Sequence, residues 1–201
     1  MEELRTGRLL LRAFRPADWA DVHAYGSDPE VVRFMDWGPN TVEESRHHTN
    51  RASATAAVSP RLRFPYAVER LADARVIGSV ELTMTSLDHR RAEMGYVLAR
   101  AAWGQGYATE AAAALVGYGF GPLGLHRIAA TCDPDNLGSA RVLEKIGMTC
   151  EGRLRAYFLI RGEWRDRLMW SAIRERAALQ SWQVGSRSRT CSDSFRHAYE
   201  R

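Results

Sequence analysis

Residues 93–110 read EMGYVLARAAWGQGYATE, and this stretch gives the strongest indication of the fold and the site. Glu93–Leu98 is rich in aromatic and branched apolar residues and predicts a β-strand. Gly104-Gln105-Gly106 follows as a tight turn, and small and apolar residues up to about Tyr118 predict a helix. Free N–H groups and the dipole at a helix start attract anions, and glycines let a phosphate approach the backbone closely. The stretch predicts a phosphate site, although a plain tight turn would contain the same residues.

A second helix start follows further along the chain. His126–Cys132 predicts a strand, and Asp133-Pro134-Asp135 predicts a turn. Asn136 is then a favourable N-cap, with Ser139 nearly one turn later on the same helix face. The helix ends at Gly147, a residue type that favours helix C-caps. Taken alone, this pattern favours simple capping over a binding site.

The rest of the chain alternates between strand and helix patterns. Strands are predicted at Arg8–Phe14, Tyr66–Arg70, Val76–Met84, Glu93–Leu98, His126–Cys132, Arg155–Ile160 and Trp164–Ile173, the last two as a hairpin. Helices are predicted at Arg15–Tyr25, from a capping box at Thr41 and Glu44 to before Pro60, from the glycine loop to Tyr118, and at Ser139–Ile146. We therefore expect an α+β (α/β three-layer) fold: a twisted sheet of 6–7 strands covered by about four helices.

Composition limits the class of protein. The 201 residues carry a net charge of +4, but the arginines are scattered and form no nucleic-acid motif. There is no run of roughly 20 apolar residues and no secretory leader, so we expect a cytoplasmic protein without a membrane partner. No cysteine and histidine spacing indicates a metal. Residues 1–180 are expected to form one domain, and residues 181–201, rich in serine and arginine, a flexible tail.

Two familiar nucleotide motifs are excluded or discounted. No GxxxxGK[ST] sequence is present, which argues against a P-loop kinase. Gly119–Gly124 matches GxGxxG, but it follows a helix rather than a strand and contains Pro122.

The two helix starts together resemble a known superfamily. Trp103–Ala111 is similar to the acetyl-CoA loop of the GNAT N-acetyltransferases, and Asn136–Met148 resembles their second cofactor motif. Thr6–Arg12, Asp28–Val31 and Gly162–Asp166 resemble the Rim-type branch, which acetylates protein N-termini and small amines. The resemblance covers roughly residues 5 to 175. It implies a mostly antiparallel sheet, splayed between two central strands, with acetyl-CoA in the cleft.

The resemblance also implies the cofactor contacts. The pantetheine would pair with the strand backbone, the pyrophosphate would sit on loop N–H groups, and two residues of the next helix would line the thiol end. The residues concerned are Tyr96, Val97, Leu98, Trp103, Gly104, Gln105, Gly106, Tyr107, Ala108, Thr109, Asn136 and Ser139.

Aminolysis of a thioester needs a base, a donor to the developing oxyanion and an acid for the leaving thiolate. Glu93 is the candidate base because it opens the cofactor strand; Glu81 is a weaker candidate, and a structural carboxylate is an equal alternative for Glu93. A backbone N–H near Leu98 is the candidate oxyanion donor. Ser139 is the candidate acid.

Three positions depart from the family pattern. Leu143 stands where many relatives have a tyrosine, Phe158 where some Rim-type relatives have a glutamate, and Ala101 where many members have arginine or glutamine. Pyrophosphate binding would then depend more on the backbone. The first two departures fit a non-catalytic acyl-CoA-binding module as the alternative function; a basic RNA-associated protein is a third.

As an enzyme, the chain would acetylate a small-molecule amine or a protein N-terminus, as a monomer or homodimer. The acceptor pocket is expected between Asp28–Val42 and Leu154–Trp164. Apolar side chains that could line it are Phe34, Met35, Trp37, Tyr157 and Phe158, unless they are simply core.

Overall fold

The computed structural model describes residues 1–174, which form one sheet of eight strands with five α-helices. The strands are β1 (Leu4–Arg5), β2 (Leu9–Arg12), β3 (Arg63–Arg70), β4 (Arg75–Ser86), β5 (Arg91–Leu98), β6 (Arg127–Cys132), β7 (Thr149–Ile160) and β8 (Glu163–Ile173). The α-helices are α1 (Trp19–Gly26), α2 (Pro29–Val32), α3 (Val42–Ala54), α4 (Tyr107–Phe120) and α5 (Leu137–Lys145).

The sheet is mixed and mostly antiparallel. Its spatial order is β1-β2-β3-β4-β5-β6-β8-β7, and only β5 and β6 pair in parallel among the described strands. Strands β1 to β5 follow chain order; turns join β1 to β2, β3 to β4 and β4 to β5, and the helices α1 to α3 lie between β2 and β3. The parallel pair needs a crossover, which α4 provides.

The sheet divides at its one parallel pair. Strands β5 and β6 are in register only from Arg91 to Glu93, opposite Arg127 to Ala129. Beyond these residues β5 stays paired with β4 up to Leu98, and β6 stays paired with β8 up to Cys132. The two halves of the sheet therefore diverge and leave a cleft, as the family resemblance implies.

Helices cover both faces of the sheet. The larger core lies under α4 and α5 and contains Ala111, Leu115, Ile128 and Leu143, all at most 1% exposed. A second core under α1, α2 and α3 includes Val22, Val32, Val97 and others. The alternation of β5 places Ala92 and Met94 in the larger core, and Glu93 and Val97 on the other face.

Local capping explains where two of the helices begin. Thr41 accepts a hydrogen bond from the Glu44 N–H, and the Glu44 carboxylate accepts one from the Thr41 N–H, which is the predicted capping box. Asn136 accepts from the Ser139 N–H and caps α5.

A buried ion cluster fixes the connection between β2 and α1. Arg12, 3% exposed, donates two hydrogen bonds to Asp18 at 2.8 and 2.9 Å and one to Glu69 at 2.6 Å. Burial alone would lower the pKa of Arg12, but the hydrogen bonds and charges of both carboxylates raise it. The cluster joins β2 and β3 to the start of α1.

The predicted order of elements is confirmed, with two additions. The structure has eight strands in residues 1–174 rather than 6–7, because the two-residue β1 is too short to show a periodic pattern. The fifth α-helix is the single turn α2, and β7 begins at Thr149 rather than Arg155. The predicted tail, 181–201, lies outside the described residues, so the proposed domain boundary stays a prediction.

Candidate active site

The glycine loop presents an uncapped helix start. Gly104 and Gly106 have φ angles of +73° and +80°, a region that other residues enter only with strain. No side chain caps α4, so the N–H groups of Tyr107, Ala108 and Thr109 have neither an intrahelical nor a capping acceptor. A Cβ added at Gly104 would meet no atom within 4 Å. The loop therefore has the open space and the donors that a phosphate group needs.

Arg8 braces this loop, a role that we did not predict. Its Nη1 donates to the Gln105 carbonyl at 2.9 Å, and its guanidinium lies 4.4 Å from the centre of the Tyr107 ring. Glu110 accepts hydrogen bonds from Arg8 and Thr6; although burial acts to raise its pKa, these contacts hold the pKa of Glu110 below its ordinary value. Arg8 thus brings a positive charge near the loop, where Ala101 offers none. The only sequence signal was its place in the Rim-type opening motif.

An opening of about 590 Å³ lies beside the loop. It is lined by Gly106 and Thr109 at one end and by Lys145 of α5 at the other. The phosphate loop and the second predicted motif therefore border the same space.

The edge of β5 that faces the cleft is set by the β4 pairing. The Ala99 N–H donates to Ile77, and the Val97 carbonyl faces Gly78 of β4. Because strand residues alternate in direction, Tyr96 and Leu98 turn their backbone groups toward the cleft, and Val97 does not. The Leu98 carbonyl accepts a hydrogen bond from the Trp103 indole at 2.8 Å. Trp103 thereby ties the end of β5 to the loop.

Tyr96 and Ser139 meet across the cleft. The Tyr96 phenol oxygen lies 2.8 Å from the Ser139 hydroxyl oxygen and donates to the Ser139 carbonyl at 3.0 Å. Burial raises the pKa of the Tyr96 phenol. Leu143, at the usual tyrosine position, is 1% exposed in the core. A phenol is therefore present near α5, but it comes from β5.

A cavity of about 990 Å³ opens on the opposite face of the sheet, under α3. Its floor is formed by β3, β4 and β5, and its walls by α1, α3 and the segment between α2 and α3. Residues from these elements that line it include Tyr25, Met35, Trp37, Gly38, Glu43, His47, His48, Arg51, Arg63, Glu81, Glu93 and Tyr96. Because the lining includes Tyr96, the cavity reaches the cleft between β5 and β6.

The lining agrees with part of the predicted acceptor pocket. Met35 and Trp37 line the cavity as expected. Within residues 1–174, no residue of Leu154–Trp164 lines it, and neither does Phe34; the Phe158 ring instead lies against the Arg167 guanidinium at 4.9 Å. His47 and His48 are exposed and form part of the cavity wall. Although the His48 side chain is exposed, desolvation by the surrounding cavity wall lowers its pKa.

The two floor carboxylates differ in their partners. Glu81 accepts two hydrogen bonds from Arg63, at 2.6 and 3.0 Å, and one from Thr83 at 3.0 Å. Glu93 is half-buried, and no hydrogen bond or ion pair within residues 1–174 reaches its carboxylate. Burial raises the pKa of Glu93. A carboxylate with a raised pKa and free oxygens is suited to accept a proton near neutral pH, whereas Glu81 is held in an ion pair.

The described residues contain neither a cluster of metal-ligand type nor a helix of membrane-spanning length. Within residues 1–174 no group of three or more His, Cys, Asp or Glu side chains could hold a metal ion. None of the helices there is long and apolar enough to cross a membrane.

The splayed sheet, the glycine loop at the start of α4 and the cavity on the opposite face are together typical of an acyltransferase fold. Residues 8–149 match the sequence family described as the acetyltransferase (GNAT) domain. The chain is 35% identical over 179 residues to the uncharacterized N-acetyltransferase p20 of Bacillus licheniformis, covering 89% of this chain and 99% of that protein.

Solved structures agree. A GNAT-family acetyltransferase from Bacillus anthracis superposes with a TM-score of 0.77 at 33% identity, covering 87% of this chain and 99% of that one.

The putative ribosomal N-acetyltransferase YdaF of Bacillus subtilis is 32% identical over 104 residues, 52% of this chain and 57% of that protein, which agrees with the Rim-type resemblance. The chain belongs to the GNAT acetyltransferase family. It is an N-acetyltransferase, an enzyme that transfers an acetyl group to an amine.

Proposed function

We propose that the chain uses acetyl-CoA as its donor and acetylates a primary amine bound in the cavity under α3. The observation that carries this proposal is the position of Glu93: a half-buried, unpartnered carboxylate on the cavity floor, at the last residue where β5 and β6 are paired. An amine bound in this cavity would lie beside the Glu93 carboxylate, which can accept a proton. It would also face the cleft between β5 and β6.

Acetyl-CoA fits the residues on the other side of the cleft. The N–H groups of residues 104–109 would hold its pyrophosphate, since α4 is uncapped and Gly104 leaves open space. Tyr96 and Leu98 turn backbone groups toward the cleft, where the pantetheine would pair. Asn136 would act through α5: its side-chain oxygen is taken by the Ser139 N–H, so it positions Ser139 rather than contacting the donor through that oxygen.

Bound acetyl-CoA supplies the acetyl carbon that the amine nitrogen joins as the carbon–sulfur bond breaks. Glu93 removes a proton from the ammonium of the acceptor and so frees its electron pair for the new carbon–nitrogen bond. The nitrogen loses a second proton to solvent as the amide forms. The hydroxyl pair of Tyr96 and Ser139 lies on the donor side and can return a proton to the leaving thiolate. The base and the acid therefore lie on opposite faces of the sheet, on either side of the gap between β5 and β6.

The acceptor is a small-molecule amine or the N-terminus of a protein. The cavity volume, about 990 Å³, accommodates either a drug-sized amine or the first residues of a peptide. Relatives named for ribosomal proteins and for spermidine support both classes of amine.

The test is calorimetric binding of acetyl-CoA together with release of free thiol in the presence of spermidine and of peptides with free N-termini. Gly104→Glu places a carboxylate where the pyrophosphate is expected, and we expect binding to weaken more than about tenfold, or 1.4 kcal/mol. Gly124→Glu is the matched control, since Gly124 also has a left-handed φ, +62°, and open space but lies beyond the other end of α4. Wild-type protein that does not bind acetyl-CoA would overturn the proposal.

A further inference from the structure

The turn of the β7–β8 hairpin contains an arginine in an unfavourable conformation. Ile160 pairs with Glu163, so the turn consists of Arg161 and Gly162, with φ angles of +49° and +85°. Two left-handed residues in a two-residue turn favour Asn-Gly, because asparagine and glycine tolerate this region. Arginine at the first position is strained. The contacts of the Arg161 side chain are therefore of interest.

The Arg161 guanidinium donates to several backbone carbonyls of one distant segment. Three of these hydrogen bonds measure 3.0, 3.0 and 3.2 Å, and two are longer, at 3.4 and 3.5 Å. The acceptors are the carbonyl oxygens of Val32, Gly38, Arg33, Met35 and Trp37. They lie more than 120 residues away in sequence, and a planar fork of five donors suits such a set better than an ammonium does.

The segment that receives these bonds has little structure of its own. Residues 33–40 join α2 to the cap of α3 and belong to no helix or strand. Their main-chain bonds in the described part of the chain are those from Met35 to Val32 and from Asn40 to Gly26. A second arginine of the same hairpin, the buried Arg167, donates to the Phe34 carbonyl at 2.8 Å. Arginines of β7–β8 therefore satisfy most carbonyls of the segment.

The contact bridges the two halves of the splayed sheet. β6 ends at Cys132, opposite Leu168, but β8 begins earlier, at Glu163, so the hairpin tip extends past the end of β6. Residues 33–38 belong with the other half, since Val32 packs in the core that contains Val97 of β5. Arg161 thus spans the open end of the cleft. On the acceptor side, Met35, Trp37 and Gly38 form part of the cavity wall.

We propose that Arg161 is a positioning residue for the acceptor: it holds residues 33–38 across the cleft so that Met35 and Trp37 form the wall against which the amine binds. This inference rests on the proposed function only in taking the cavity as the acceptor site. The hydrogen bonds by which Arg161 holds residues 33–38, called the tether below, do not depend on the proposed function.

The first experiment measures hydrogen exchange of the full chain as wild type and as Arg161→Asn. Asparagine keeps the favoured turn sequence, so the hairpin is retained and only the fork is lost. We expect faster exchange in residues 33–40 and unchanged exchange in the loop at residues 104–109. Arg155→Gln is the control, because Arg155 is exposed on the same hairpin and its side chain makes no hydrogen bond within residues 1–174. Equal exchange of residues 33–40 in wild type and Arg161→Asn would overturn the tether.

The second experiment uses the amine that the wild type acetylates fastest among spermidine and peptides with free N-termini. If the wall is ordered in only a tenth of Arg161→Asn molecules, KM for the amine rises about tenfold. The affinity for acetyl-CoA should not change, and Arg161→Lys, with a single donor nitrogen, should recover only part of the loss. An unchanged KM despite faster exchange would overturn the positioning role. A wild type that acetylates none of these amines would contradict the proposed function, while hydrogen exchange would still decide whether Arg161 holds the segment.

Discussion

The phenol oxygen of Tyr96 on β5 and the hydroxyl oxygen of Ser139 on α5 lie 2.8 Å apart, across the gap where the two halves of the sheet separate. The contact spans 43 residues of sequence and joins the two predicted cofactor motifs. It also replaces, from a different element, the phenol that the family pattern would place at Leu143.

This pair predicts an asymmetry between two substitutions. Ser139→Ala leaves the phenol in place, because Tyr96 still donates to the Ser139 backbone carbonyl at 3.0 Å. Tyr96→Phe removes the phenolic proton altogether, so we expect it to lower kcat by about 10²-fold or more, and Ser139→Ala by less. Steady-state kinetics of both variants and of the double variant measure this, and the double variant should resemble Tyr96→Phe. A larger loss in Ser139→Ala would assign the acid to Ser139, as the sequence indicated.

Glu93 predicts the acidic side of the pH profile. As the base, Glu93 must be ionised before the amine is bound, and burial raises its pKa. kcat/KM should therefore rise with pH through a pKa above the ordinary value of a carboxylate. Glu93→Gln should lower kcat by about 10²- to 10⁴-fold and remove this rise, the acidic limb of the pH profile. Glu81→Gln, the same change in the same cavity, should retain the limb, because Glu81 is held by Arg63. A limb that survives in Glu93→Gln would exclude Glu93 as the base.

The same carboxylate should also cost stability at neutral pH. A group whose folded pKa is raised stabilises the fold below its unfolded pKa, and that contribution is lost as pH rises through the folded pKa. Glu93→Gln should consequently raise the thermal midpoint more at about pH 8 than at about pH 3, where the carboxyl is protonated in both the folded and the unfolded protein. Thermal unfolding at the two pH values tests this. An equal shift at both would show that packing rather than charge is responsible.

The local parts of the site could be predicted from sequence, and the distant contacts could not. Gly104, Gly106 and Asn136 act through backbone conformation and capping, which depend on a few neighbouring residues, so their patterns indicate helix starts directly. The Tyr96 contact with Ser139 and the Arg161 contacts with residues 33–38 depend on how the sheet closes. No periodic pattern records them.

The cavity shows the same division. Glu93 could be proposed because it opens the cofactor strand, but the different partners of Glu93 and Glu81 appear only once β3 brings Arg63 beside β4. His47 and His48 lie on an exposed face of α3, and their polarity is equally consistent with open solvent and with a cavity wall. The cytoplasmic location expected from the sequence stays a prediction.

At Gly78 the strands β4 and β5 lie too close together to leave room for a side chain. A Cβ at Gly78 would lie 2.2 Å from the Val97 carbonyl oxygen and 2.9 Å from the Leu98 Cα, and both are backbone atoms that cannot rotate away. Gly78→Ala should destabilise the fold by about 1–3 kcal/mol or more and displace the end of β5. Gly95→Ala is the control, since a Cβ there meets nothing within 4 Å. Chemical denaturation of both variants checks this, and equal stability would contradict the close approach.

Arg8 is expected to supply, near the phosphates, the positive charge that Ala101 lacks. Its Nη2 lies 3.5 Å from the place of a Cβ on Gly106, and its Nη1 already bonds the Gln105 carbonyl of the loop. Part of its charge is balanced by Glu110, at 2.6 Å, so its contribution should be moderate. We expect Arg8→Gln to raise KM for acetyl-CoA by about tenfold, equivalent to 1.4 kcal/mol.

A donor without phosphates separates this charge from a purely structural role of Arg8. S-acetyl-pantetheine has the same thioester but no pyrophosphate, so its KM should be the same for wild type and Arg8→Gln. Arg5→Gln, on the same hairpin and with a side chain that makes no hydrogen bond within residues 1–174, serves as the control for both donors. If Arg8→Gln weakens both donors equally, Arg8 acts by bracing the loop. A loss confined to acetyl-CoA shows that its guanidinium acts on the phosphates, and that the β1–β2 hairpin completes an anion site which α4 begins.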